Sequence, residues 1–197
     1  GGPPVRIEDI TLWGRGSVDA RGALCAFAVA GGAADVPPGW RLTLVAAVCE
    51  ETDSRGARYR VPLHAPAACL VGEPSGTDGI TLAYRGFLQV SLSAGDTGSH
   101  RSAGTSPLTA CLRAAADILG EIDRLDDPAK PVIERMGANV LSMSGSEEGS
   151  RTAEIQLDIR LPLGALPEDV FRLCSEMAAS RGASASLVSS VPAHAAE

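Results

Sequence analysis

The spacing of apolar residues changes character once along the chain, near residue 80, and that change divides the sequence in two. Before it, short apolar runs alternate with small-residue stretches. Ile10–Trp13 predicts a short strand running into a glycine-rich turn, Gly14-Arg15-Gly16, and Ala23–Ala30 predicts a closely packing helix. Leu42–Val48 (LTLVAAV) is apolar almost throughout, the pattern of a strand buried on both faces. Ser54–Val61 predicts a helix and Ala68–Val71 another short apolar strand. Strands alternating with helices imply a parallel or mixed sheet covered by helices.

After Gly79 the periods are cleaner. Leu88, Val90, Leu92 and Ala94 alternate with polar residues, as in a half-exposed strand. Ser106-Pro107 is a helix start, with Ser as N-cap and Pro at the first helical position. Leu108, Cys111, Leu112, Ala115, Ile118, Leu119 and Ile122 then make one apolar stripe. Val140–Ser144 predicts a strand, and beyond a Gly/Ser/Glu turn Ala153, Ile155, Leu157, Ile159 and Leu161 alternate strictly with polar residues. Pro167 opens a second amphipathic helix, which Gly182 stops, and Ala183–Val188 is a weak last strand. The order βαββαβ is that of the split-βαβ, ferredoxin-like unit. The expected fold class is therefore α/β in two parts: residues 1–79, an incomplete α/β sheet; residues 80–191, a closed βαββαβ unit; and a short hinge at 192–197.

Charge narrows the partners. A formal net charge of -7 argues against a nucleic-acid or anionic-membrane surface. No apolar run reaches the roughly 18 residues of a membrane span. The 5 cysteines are scattered, with no zinc-finger or thioredoxin spacing, and read as buried free thiols in a reducing, cytoplasmic setting.

The candidate chemistry is carboxylate. Each predicted strand of the first part runs into acid at its C-terminal end: Asp19 after the glycine turn, Glu50-Glu51 after the long apolar run, Glu73 after Leu70-Val71-Gly72. Ligands of open α/β sheets bind beyond the carboxyl ends of the strands. Loops after strands are polar in any case, so each acid alone has an ordinary explanation. Together they imply several carboxylates on one rim, whose repulsion a cation would offset.

These residues sit in motifs. Gly14-Arg15-Gly16-Ser17-Val18-Asp19-Ala20-Arg21-Gly22, Val48-Cys49-Glu50-Glu51, Val71-Gly72-Glu73-Pro74, Tyr84-Arg85-Gly86, the Gly95-to-His100 spacing and Asp158-Ile159-Arg160-Leu161-Pro162 follow in order along nearly the whole chain. The set resembles the zinc-dependent family of acetylornithine deacetylase and succinyl-diaminopimelate desuccinylase, with Arg21 where that family usually has Lys. Pro4–Glu8 before the first motif, and Gly72–Gly76 followed by Ile80-Thr81-Leu82, look most like the branch that hydrolyses lysine or ornithine from an amino-group carrier protein.

The resemblance implies a partial metal-binding catalytic domain followed by a lid that dimerises. It implies that Asp19 bridges two zinc ions, with cobalt or manganese as substitutes, and that the peptide bond after Asp19 is cis. Glu51 would ligate one metal and Glu73 the other, and Glu50 would be the general base. His100 would reach a partner subunit's site and hydrogen-bond the oxyanion; without the resemblance it reads as a surface loop residue. Arg160 is either a receptor for the substrate carboxylate or part of a solvated strand face. His64 and His194 match no motif, and His194 reads as a hinge residue. The family's two histidine ligands would fall before Gly1 and beyond Glu197, so an internal fragment or a degenerate relative is expected. Three functions remain: hydrolysis of a carrier-linked isopeptide, deacylation of an N-acyl amino acid or peptide, or a non-catalytic dimerisation module.

Overall fold

The structure, a computed structural model, describes residues 4–73, 76, 78–96 and 104–196. It is mixed α/β and divides into two compact units, Gly1–Ile80 and Thr81–Glu197.

In the first unit, β1 (Arg6–Glu8) and β2 (Thr11–Trp13) form an antiparallel hairpin. Its turn needs a left-handed residue, and Asp9, an amino acid that tolerates that region, takes φ 53°. Helix α1 (Arg21–Ala33) follows, and α2 (Arg55–Arg60) continues into a short 3-10 turn, Val61–Leu63. The two predicted apolar strands are not strands. Leu42–Val48 and Ala68–Val71 belong to no sheet among the described residues. Leu42 is 59% exposed, Val48 64% and Leu70 71%. A strand exists only through its ladder, and these segments find no partner among the described residues. For the same reason α1 buries none of its residues.

The second unit has the βαββαβ order. Its long elements are β4 (Gly86–Asp96), α3 (Pro107–Leu125), β5 (Gly137–Ser146), β6 (Arg151–Leu161), α4 (Pro167–Ser180) and β7 (Ser184–Val191). The sheet runs β5-β6-β4-β7, antiparallel throughout. Alternation sets its two faces: Leu88, Val90 and Leu92 of β4 and Ile155, Leu157, Ile159 and Leu161 of β6 are fully buried under the helices. Ser106 caps α3 by accepting the Thr109 N–H at 3.2 Å. The α3 stripe is rotated from the expected one. Ala110 and Ala114 are buried, whereas Leu112 is 44% exposed. Alanines let the helix axis lie close to the sheet, and the larger leucine falls at the rim.

A short pair, β3 (Ala83–Tyr84) with β8 (His194–Ala195), ties the two ends of this unit together. His194, expected in a free hinge, stands opposite Tyr84 in that ladder. Burial also corrects the cysteine expectation: Cys111 and Cys174 are buried, but Cys25, Cys49 and Cys69 are exposed, and all are free. No described helix is long and apolar enough to cross a membrane.

Candidate active site

Asp19 lies in a compact turn between β2 and α1. Ser17 N–H donates to the Gly14 carbonyl at 3.2 Å, and Arg21 N–H to the Gly16 carbonyl at 3.1 Å. Arg21 adds a hydrogen bond from Nη1 to the Arg15 carbonyl at 3.2 Å, so the residue in the usual lysine position braces the turn. Gly22 cannot carry a side chain without moving this turn, since a Cβ there would stand 2.5 Å from the Ser17 carbonyl oxygen. The Asp19–Ala20 peptide bond is cis.

Glu50 and Glu51 occupy a tighter turn. Cys49 and Ser54 both adopt left-handed backbone, φ 61° and 52°. The Cys49 carbonyl accepts the Ser54 N–H at 2.7 Å and the Thr52 N–H at 3.3 Å. Ser54 Oγ donates to the Glu50 carbonyl at 3.3 Å, and Arg55 Nε reaches both oxygens of Asp53 at 3.0 Å. Gly56 N–H donates to the Val48 carbonyl at 3.2 Å. That approach requires glycine: a Cβ at position 56 would lie 2.4 Å from the Val48 nitrogen.

Glu73 completes the group. Gly72 before it presses against α1, where a Cβ would come within 2.9 Å of the Phe27 ring and 3.0 Å of Ala23. The Glu73 carboxyl is half-buried and held above its ordinary range, first by burial and then by the negative charges of Glu50, Asp19 and Glu51. Side chains from three separate turns thus share one electrostatic neighbourhood. An apolar seat and like charges both disfavour ionisation, and a bound cation reverses both effects.

The other candidates are placed differently. His100 lies outside the described residues. Arg160 is on the polar face of β6, its Nε 2.9 Å from Asp158 Oδ2 and its guanidinium 5.9 Å from the Phe87 ring centroid. His64 is turned to α2, where Arg60 Nη2 donates to its Nε2 at 2.7 Å. Among the described residues no three of His, Cys, Asp and Glu are arranged to hold a single ion. Gly56 carries no sequence signal, and Gly72 and Asp158 stand in motifs without an assigned role; the close approaches they make in space show what each does.

Among curated proteins, the chain is 31% identical over 191 residues to LysW-lysine hydrolase of Deinococcus radiodurans, covering 91% of this chain and 52% of that protein. A Pyrococcus furiosus protein assigned as a LysW-lysine/LysW-ornithine hydrolase is 31% identical over 172 residues, 83% of this chain and 47% of its own length. The chain is a homologue of the LysW-lysine/ornithine hydrolases. A third member of this group, from Pyrococcus horikoshii, reaches 46% identity over 89 residues, 44% of this chain and 25% of that protein. The chain spans about half the length of the first two relatives. No protein-family model matches. Among solved structures, the dipeptidase Dug1p of Saccharomyces cerevisiae overlaps 59% of this chain and 38% of its own, with TM-score 0.45 and 9% identity. An aminobenzoyl-glutamate utilization protein of Klebsiella pneumoniae overlaps 57% of this chain and 29% of its own, with TM-score 0.40 and 16% identity. Overlap at that level adds nothing to the fold seen directly.

Proposed function

We propose that this chain is the part of a metal-dependent hydrolase that carries the metal-binding acids and the lid, and that the enzyme releases lysine or ornithine from an isopeptide bond to a carrier protein. The observation that carries the reading is the shared neighbourhood of Asp19, Glu50, Glu51 and Glu73, which makes one carboxyl resist ionisation. Oxygen donors of this kind fit a divalent cation in character. Asp19 with Glu51, and Asp19 with Glu73, would each give two ligands to one of two zinc ions, which agrees with the lack of a three-residue cluster within the described chain. When bound, the metals supply Lewis-acid activation of water and of the scissile carbonyl.

The chain's own residues do the rest. Glu50, first of the pair, takes the proton of the attacking water and returns it to the departing amine. Glu51 and Glu73 would serve as ligands; for Glu73, burial and the neighbouring negative charges oppose the ionised state, and a cation would offset both. His100, from the lid of a second copy, donates a hydrogen bond to the tetrahedral oxyanion. Arg160 receives the substrate carboxylate. The second unit is read as that lid, and the homodimer as forming through it. Among the described residues strand β5 is an outer strand of its sheet and exposes Val140, Leu141 and Met143 at 49%, 53% and 59%, and an apolar edge of this kind is a pairing site for another copy. Three exposed free thiols support a reducing, cytoplasmic setting.

The test is an assay of the complete gene product on a carrier protein bearing lysine or ornithine on its C-terminal glutamate, beside free N-acetylornithine. Release from the carrier substrate, abolished by chelation, is expected. Cleavage of N-acetylornithine alone would reassign the substrate, and no metal-dependent hydrolysis of either would remove the enzymatic reading.

A further inference from the structure

A second arrangement lies in the βαββαβ unit, on the sheet face turned away from the helices. Arg160, near the end of β6, stands directly opposite Phe87 on β4 and Gly137 on β5. Its guanidinium packs at the Phe87 ring and its Nε meets Asp158. Asp158 is only 4% exposed, so this face holds a carboxylate away from water. Such a group is costly unless paired, and here Arg160 and the Gln89 amide, which donates to Asp158 Oδ1 at 3.4 Å, meet it. On the other flank Gly137 has no side chain, and a Cβ there would meet nothing within 4 Å. The Arg160 side chain is still 46% exposed.

We propose that Asp158 is a positioning residue for Arg160, and that the pair, with the Phe87 ring and the gap at Gly137, forms a receptor for the carboxylate of an amino acid. The proposal rests on the reading of Arg160 as the carboxylate-binding residue and deepens it. A guanidinium offers two edges that fit a carboxylate. With Nε against Asp158, the edge made by the two terminal nitrogens is left for the ligand. A free arginine loses rotamer entropy when it binds; this one is already held by the acid and the ring. The Asp158–Arg160 pair carries no net charge, so it favours the planar two-oxygen shape of a carboxylate over sheer negative charge. Inorganic phosphate, a mixture of mono- and dianion at neutral pH, is bulkier than a planar carboxylate and meets the Asp158 charge as well as the guanidinium.

The 197-residue chain, labelled with 15N, tests this through the Arg160 Nε–H signal during titration with sodium acetate and, separately, with inorganic phosphate at matched ionic strength. Acetate is expected to shift the signal saturably, and phosphate to bind more weakly. Asp158→Asn, with the remaining spectrum still that of the folded chain, is expected to weaken acetate binding by about tenfold, the scale of one charge-assisted hydrogen bond. Phe87→Leu keeps the acid and removes the ring, and is expected to weaken acetate binding as well; it decides the matter if Asp158→Asn does not fold. Unchanged acetate affinity in the folded Asp158→Asn protein overturns the positioning role. So does unchanged affinity in Phe87→Leu where the aspartate variant is unfolded, or phosphate binding as tight as acetate. Acetate binding that survives Arg160→Lys undiminished, followed there by the backbone amide signals of the flanking Phe87 and Gly137, overturns the reading of Arg160 itself, a different failure from either of these.

Discussion

The Ser54 backbone N–H donates to the Cys49 carbonyl at 2.7 Å, closing a turn that contains both Glu50 and Glu51. The two carboxylates therefore leave a rigid backbone a single residue apart, and adjacent positions can serve different ends, proton transfer and ligation.

Separation of those roles is the first expectation. In the complete enzyme, Glu50→Gln is expected to lower turnover by about two to four orders of magnitude, the usual cost of losing a general base. Its metal content should stay near that of the wild type. Glu51→Gln should instead lose metal, read by elemental analysis. Wild-type kcat in Glu50→Gln would sink the assignment.

Gly56 tests whether the turn itself matters. Helix propensity alone favours Gly56→Ala by about 1 kcal/mol. The Cβ would nevertheless strike the Val48 backbone nitrogen at 2.4 Å. The substitution is expected to reduce metal affinity in the complete enzyme, followed by calorimetric zinc titration. Unaltered affinity would mean that the turn relaxes without moving its glutamates.

The 197-residue chain by itself is expected to bind zinc only weakly and to hydrolyse neither N-acyl nor isopeptide substrates. Carboxylates without imidazole or thiolate are poor partners for zinc, and no three-residue cluster is present among the described residues. Stoichiometric uptake of two tightly held ions would contradict this.

The Asp126–Arg135 pair gives the βαββαβ unit a pH signature. The hydrogen bond from Arg135 holds the Asp126 carboxyl below its ordinary range, with burial opposing and the Arg135 charge assisting. A depressed folded value means that the stabilisation is present above the unfolded carboxyl's value of about 3.9 and is lost as pH falls through the folded one. Thermal melts at descending pH should therefore converge for wild type and Asp126→Asn in acid and diverge, with wild type higher, toward neutrality. Parallel curves at every pH would leave the pair without a role in stability.

Core packing gives a cleaner magnitude. Ile155 is 1% exposed at the centre of the sheet, and Ile155→Ala is expected to cost about 2–5 kcal/mol in urea unfolding. A loss under about 1 kcal/mol would show that the two helices can close over the cavity.

Legibility in the sequence followed locality. The alternation Ala153-to-Leu161 and the Ser106-Pro107 cap are local signals with a single structural solution, and β6 and α3 formed where they pointed. The α3 stripe was misjudged at Leu112 because hydrophobicity ranks leucine above alanine, while close packing on a sheet favours Ala110 and Ala114. Leu42–Val48 carries the composition of a central strand, but composition cannot supply the neighbours that make it one. The acids were marked in the sequence by their motifs, although the strands expected before Glu50 and Glu73 are absent among the described residues. The seating that glycines give them was not legible, because Gly56 meets Val48 and Gly72 meets Phe27 only in space. Asp158 looked like one more polar residue on an outward face, and its burial beside Arg160 depends on two strands distant in sequence.

The β3–β8 ladder has a further consequence. Beyond the pairing of Tyr84 with His194, the Ala196 N–H donates to the Leu82 carbonyl at 2.7 Å, so the unit begins and finishes at one place. Everything between is topologically a loop drawn shut at its neck. Such a module can be transplanted into a host turn without stretching it, or joined head to tail through a short bridge and reopened elsewhere, for instance at the Gly145–Ser150 hairpin. Its architecture tolerates new chain ends because the old ones already lie side by side.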